Sequence, residues 1–351
     1  MPMFGRLPII VAPMAGGPST PALVTAVGEA GALGFLAAGY LTAGQLDERM
    51  AGVERGGDSA YGVNLFLPSP RTEDLTAVEA YGRRLAAAAD VEPGKPRWDD
   101  DELAAKLDVV CAHRPAAVSF TFDNPSATVC ERVRAATGAV LVATVTSFDE
   151  AAAAVDVDAL CVQGAEAGAH RGVWQDDAAS ADGGSSTPLL QLLADVRRVS
   201  DLPLIATGGI MDGAGVNAAL RAGAVAAQLG TAFLCCPEAG TSAAHRRALR
   251  DPRFTETVVT RAFTGRPARA LANRFTRDHS AYAPSAYPEV HHLTRPLRQA
   301  AAANGDADAL HLWAGTGWRA VTVEPAADLV ARLERDRVAA HKDQGANQGP
   351  P

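Results

Sequence analysis

An α/β protein built on a TIM (β/α)8 barrel, with an inserted, mainly helical lid domain, is the fold class this sequence predicts. Three observations predict it. Apolar runs of strand length alternate with helical stretches eight times over roughly the first 230 residues. The last two runs each end in a glycine turn, at Gly208-Gly209 and at Gly230-Thr231. From Pro237 to about Leu310 the alternation gives way to short helical pieces and loops with many arginines. An open doubly wound sheet would also alternate strands and helices, but the regularity over eight units favours the barrel.

The elements follow in order. Pro8 to Ala12 is the first apolar run, and Ser19 or Thr20 can cap a helix that stops at Gly31. Leu33 to Ala37 and Tyr61 to Leu67 are the second and third strands, with a helix from about Thr42 between them. Pro68 to Pro115 is longer than one barrel connection requires and reads as two helices, Leu75 to Ala89 and Asp99 to Cys111. Ala117 to Phe122, Ala139 to Val145 and Ala159 to Val162 are the next three strands, with Pro125 opening one helix and Ser147 capping another. Thr187 to Val199 is a helix leading to the seventh strand, Leu204 to Ala206. Asp212 then caps a helix that Gly223 stops, before the eighth strand, Ala224 to Leu229. The domains expected are a barrel over residues 1–236, a lid over 237–310, a return to the barrel with a last amphipathic helix over 311–340, and a disordered tail over 341–351.

Composition narrows the class of function. Of the 351 residues 48% are hydrophobic and 21% charged, which suits a packed core. A net charge of −8 argues against nucleic acid or an anionic membrane as partner. No apolar run approaches the ~20 residues a membrane helix needs, and MPMFGRLPIIVAPMAGG lacks a signal-peptide layout. The cysteines (Cys111, Cys130, Cys161, Cys235, Cys236) show no metal or redox spacing. A reduced cytoplasmic protein without a metal site is expected.

The chemistry concentrates at strand ends. If the last two strands are parallel neighbours, the N–H groups of Gly208-Gly209 and Gly230-Thr231 converge and suit a phosphate. The same glycines would also serve an ordinary βαβ unit with tight turns. His170 lies in QGAEAGAHRG just after the sixth strand, where Gly164, Gly168 and Gly172 permit close backbone approach to a planar ligand. An imidazole there suits proton abstraction from a moderately acidic C–H. Asn64 and Gln163 are amides that could read a flavin's pyrimidine edge, or could bond local loop backbone instead. Glu166 is a weaker acid-base candidate that could simply fix the loop. Arg261, Arg266, Arg269 and Arg274 could attract an anion, but salt bridges and carbonyl contacts that dock a lid are the preferred reading. His279, His291 and His292 lack a carboxylate or cysteine companion for a metal and read as solvent or lid histidines.

Taken together, PIIVAPMAGG, GVNLF, QGAEAGAHRG, ATGGI, QLGTAF, TGRPARALANRF and LWAGTG, in this order, resemble nitronate monooxygenase, formerly called 2-nitropropane dioxygenase. The resemblance spans nearly the whole chain. It implies an FMN-bound barrel with a lid, acting on a small-molecule nitronate and O2 and yielding a carbonyl compound and nitrite. His170 matches the family's catalytic base. Met14, Asn64, Gln163, Gly168, Gly209, Gln228, Leu229, Gly230 and Thr231 match its FMN contacts. Ala169 stands where a glycine is usual, Asp123-Asn124 where many members have a glycine, and Thr316 where a glutamine is common. A related expectation is an FMN-dependent enoyl-acyl-carrier-protein reductase; one of another class is a catalytically silent flavin- or phosphate-binding barrel.

Overall fold

The computed structural model describes residues 4–346. Nine short strands come first: β1 (Ile9–Val11), β2 (Leu33–Ala37), β3 (Tyr61–Phe66), β4 (Ala117–Thr121), β5 (Val140–Val145), β6 (Ala159–Gln163), β7 (Ala169–His170), β8 (Leu204–Thr207) and β9 (Ala226–Leu229). All except β7 close into one parallel barrel in the order β1-β2-β3-β4-β5-β6-β8-β9, with β9 returning to β1. Each of the eight expected strands is present, with ends displaced by no more than two residues.

Burial on both faces explains the nearly continuous apolar runs. Outward side chains pack under the helices, while inward ones alternate with them along each strand. Toward the strands' N-terminal ends the interior is apolar, filled by Ile10, Phe35, Val142, Ile205 and Ala226. Gly62 makes room there: a Cβ on it would lie 2.4 Å from the Phe35 ring. Two residues further along, the inward positions turn polar, at Asn64, Ser119, Thr144, Thr207 and Gln228. The barrel thus has a greasy floor and a polar mouth.

Helix starts follow the local chemistry. Thr20, Ser147 and Asp212 each accept an N–H of the first turn, and Thr42 forms a full capping box with Gln45. The long β3–β4 connection does hold two helices, Thr76–Ala88 and Leu103–His113.

Residues 237–310 are less purely helical than expected. Besides helices Ala243–Ala248, Arg274–His279 and Glu289–Asn304 they contain β10 (Thr257–Thr260) and β11 (Ala268–Leu271). These form a three-stranded antiparallel sheet in the order β10-β11-β7. Backbone pairing therefore ties this segment to the loop that carries His170, through Ala268 opposite His170. The last helix runs Ala326–Ala346, so residues 341–346 continue it where a disordered tail was expected. Residues 1–3 and 347–351 lie outside the described residues.

Candidate active site

A cavity of about 280 Å³ opens over the C-terminal ends of the barrel strands, where this fold places its chemistry. Met14 enters it from the loop after β1, Asn64 from β3 and Gln163 from the end of β6. Gly168 lines it from the β6–β7 connection, His170 from β7, and Gly208 and Gly209 from the turn after β8. Gln228, Gly230 and Thr231 complete that side. Leu229 is the exception. The alternation that points Gln228 inward turns the Leu229 side chain out into the packed wall, where it is 1% exposed.

Strands β8 and β9 are hydrogen-bonded neighbours, so their two glycine turns lie side by side. Among the described residues no acceptor meets the backbone N–H of Gly208, Gly209, Gly230 or Thr231. Gly208 and Gly209 have φ of +126° and +70°, backbone that glycine adopts without strain. Unpaired N–H groups beside one cavity are suited to an anion. Among the described residues no lysine or arginine lines the cavity, which leaves backbone N–H groups as the donors beside it.

His170 is set by backbone and side chain together. Its strand pairing with β11 fixes the main chain. Gln163 brackets the residue, donating from Nε2 to the His170 carbonyl at 3.2 Å and accepting from the Gly172 N–H at 2.8 Å. The imidazole Nε2 lies 3.0 Å from Thr264 Oγ1, a hydroxyl that reaches the Arg266 carbonyl at 3.2 Å. Around the ring stand Phe122 at 5.7 Å, Tyr287 at 5.8 Å and Trp313 at 5.7 Å, centroid to centroid. Tyr40, also beside it, stacks on His291 at 4.0 Å with 4° between planes. Desolvation in this box, with the Arg266 and Arg298 charges behind it, lowers the His170 pKa to about 3. The imidazole is therefore neutral, and an imidazolium gains stability there only when an anion forms beside it.

Asn64 is buried and donates from Nδ2 to Ser119 Oγ at 2.9 Å and Thr121 Oγ1 at 3.0 Å. No donor reaches its Oδ1 among the described residues, which leaves an acceptor at the mouth. Gln228 rests its amide nitrogen on Cys161 Sγ at 3.3 Å. Gln163, by contrast, uses both ends on loop backbone.

The remaining candidates are structural. Glu166 accepts the Leu189 N–H at 3.0 Å, fixing the start of helix Leu189–Arg197. Arg261 pairs with Asp176, Arg269 holds the Ala165 carbonyl at 2.8 Å, and Arg266 holds the Val173 carbonyl and lies 3.9 Å over the Phe122 ring. The Arg274 guanidinium lies 3.6 Å from the Asp306 carboxylate. His291 and His279 are buried rather than solvent-facing, and no cluster of metal-ligating residues exists among the described residues. Ala169 has a φ of 60°, in the left-handed region that favours glycine. Asn124 spans to the Val155 carbonyl, and neither it nor Asp123 lines the cavity. Thr316 donates its N–H to the Glu166 carbonyl at 3.0 Å beside the Gly209 turn.

Thr264, Tyr40, Phe122, Tyr287 and Trp313 were not marked by sequence reasoning, since no local pattern brings residues 94 apart, as His170 and Thr264 are, into contact. Thr264→Val is expected to lower kcat on a substrate needing proton removal by about 10-fold, the scale of one lost orienting hydrogen bond. Thr264→Ser should restore most of it; an unchanged kcat in Thr264→Val contradicts the orienting role.

Comparison with known proteins identifies the family to which such a chain belongs. The nitronate monooxygenase family model matches residues 2–336. A nitronate monooxygenase of Paraburkholderia phytofirmans is 39% identical over 349 residues, covering 96% of this chain and 94% of its own. A probable nitronate monooxygenase of Staphylococcus aureus is 35% identical over 340 residues, covering 93% of each. Among solved structures, the nitroalkane oxidase from Streptomyces ansochromogenes superposes with a TM-score of 0.93 at 47% identity, over 97% of this chain and 98% of that one. FabK from Thermotoga maritima shares the fold, with a TM-score of 0.75 at 23% identity over 98% and 96% of the two chains. With the family model spanning residues 2–336 and relatives 39% and 35% identical over 96% and 93% of this chain, the protein belongs to the nitronate monooxygenase family.

Proposed function

We propose that the protein is an FMN-dependent oxidoreductase that converts alkyl nitronates, and nitroalkanes after deprotonation, with O2 into a carbonyl compound and nitrite. The observation that carries the reading is the meeting, in one cavity, of an anion cradle and a neutral histidine enclosed by aromatic rings. The cradle suits the single phosphate of FMN, and no GxGxxG turn follows β1 to suit a dinucleotide. Bound flavin supplies the electron acceptance that the protein side chains lack.

The chain's own residues bind, orient and move the proton. Gly208, Gly209, Gly230 and Thr231 hold the phosphate through their N–H groups, and Asn64 Oδ1 offers an acceptor to a ring N–H. His170 takes the α-proton of a neutral nitroalkane. The charge that appears on the nitro oxygens then offsets the cost of the imidazolium, whose proximity to Arg266 and Arg298 would otherwise disfavour it. The aromatic wall excludes water from the reacting carbon. Residues 237–310 act as the lid: Thr241, His245 and Leu310 belong to the cavity wall. The setting is the reducing cytoplasm, in keeping with cysteines that are all unpaired.

Denaturing the purified protein should release FMN, and aerobic turnover of a nitronate should form nitrite. Recovery of FAD, or a colourless protein that ignores added FMN, overturns the cofactor assignment. Oxidation of NAD(P)H by an enoyl thioester, with no nitrite from nitronates, would transfer the site to the reductase class.

A further inference from the structure

Beyond the Trp313 ring the cavity has walls that proton abstraction at His170 does not use. His311 follows that ring at 5.4 Å, centroid to centroid, and Thr241 and His245 line the same cavity from the segment after β9. Thr241 Oγ1, His245 Nε2 and His311 Nδ1 are buried, and each lacks a hydrogen-bond partner among the described residues. Thr241 and His245 are each only 7% exposed. Burying polar atoms unpaired is unfavourable, and three of them on one cavity wall mark where a ligand's polar group belongs. Leu234, Ala302 and Leu310 supply apolar surface to the same wall.

The chemistry of that polar group follows from what lines the cavity. Among the described residues no Asp, Glu, Lys or Arg lines it: an ammonium finds no counter-charge in the wall, and the Arg298 charge that bears on His311 stands behind the lining, out of direct pairing with a carboxylate. Burial also holds His245 down to about 4 and His311 well below its ordinary value, so both rings are neutral. A neutral imidazole has one donor and one acceptor; the His245 ring already engages the Trp313 backbone, so one role is left to it, and the threonine hydroxyl can do either. The complement of that set is a hydroxyl, which donates once and accepts. A short alkyl chain would lie along the apolar surface between the two ends.

We infer that Thr241, His245 and His311 form a specificity subsite for a hydroxyl, so that nitronates with a hydroxyl at the far end of a short alkyl chain are the preferred substrates. This rests on the nitronate-oxidising reading of the same cavity. The test uses the flavin-loaded full chain and the nitronates of 2-nitroethanol, 3-nitropropan-1-ol and 4-nitrobutan-1-ol. Each is compared with the nitroalkane nitronate in which a methyl replaces the hydroxyl, by oxygen uptake. At one chain length the hydroxyl compound should have a kcat/KM about 10-fold higher than its methyl partner, the scale of one satisfied buried hydrogen bond. In Thr241→Val and in His245→Leu that ratio should fall toward one at the same flavin content.

A ratio near one at every chain length in the unaltered protein overturns the proposal and leaves nitronate oxidation standing. So does a ratio that survives both substitutions. Loss of flavin from Thr241→Val overturns it too, because the unpaired atoms would then belong to the cofactor's contacts. Preference for a carboxylate in place of the hydroxyl overturns the neutral-group assignment. Failure to oxidise any nitronate would instead strike the proposed function itself, and the subsite with it.

Discussion

His170→Asn is expected to depress turnover of a neutral nitroalkane by about 10²–10⁴-fold while sparing most activity on the preformed nitronate. A nitroalkane must lose its α-proton before oxidation, and the nitronate has already lost it. The asparagine amide has no usable basicity, and it ends short of the imidazole Nε2 that meets Thr264, so flavin content is measured beside both activities. The comparison is internal: a folding defect lowers both activities, whereas loss of a base lowers one. The pH profile adds an independent check. Burial and the two arginines hold His170 at about 3, so it stays deprotonated as pH falls from 8 to 5. Turnover of the neutral substrate should therefore show no acid limb from this group in that range, in contrast to a solvent-exposed histidine titrating near 6.5. Equal loss on both substrates at normal flavin content would remove the base assignment.

Gly209→Val is expected to cost most of the bound flavin. Its φ of +70° is one that a β-branched residue adopts only with strain. A Cβ there would lie 2.7 Å from the Glu166 Cβ and 3.3 Å from Thr316 Oγ1, so the turn or the facing loop must move. Either movement spoils the convergence of N–H groups on the phosphate. Gly223→Val separates the two effects: φ there is +96°, but nothing stands within 4 Å of the added carbon. The Gly223 variant should lose stability, by about 1–3 kcal/mol for the backbone alone, and keep its flavin. The flavin-to-protein ratio after gel filtration checks both. Full flavin retention in Gly209→Val contradicts the cradle.

The barrel was legible because its strands are buried on both faces, which writes each as an uninterrupted apolar run bounded by glycine or a cap residue. The adjacency of the two glycine turns was legible because they follow consecutive barrel strands. Leu229 was legible too, had the alternation been applied: a strand with Gln228 facing in must turn Leu229 out. The β-branched run Thr257–Thr260 likewise carried a local strand signal inside a segment expected to be mainly helical. Strand β7 is different. Two residues long, it exists only through its pairing with β11, and no window of sequence shows it. The wall around His170 was hidden for the same reason. Tyr40 and His291 come from opposite ends of the chain and meet face to face only in the folded molecule.

Anaerobic mixing of the flavin-loaded protein with an alkyl nitronate, followed by visible absorbance, tests the central claim most directly. The flavin absorbance should change on mixing with the nitronate alone, with no NAD(P)H present, and recover on admitting O2. An oxidised flavin that ignores the nitronate but is reduced by NAD(P)H would contradict nitronate oxidation and point to the reductase class.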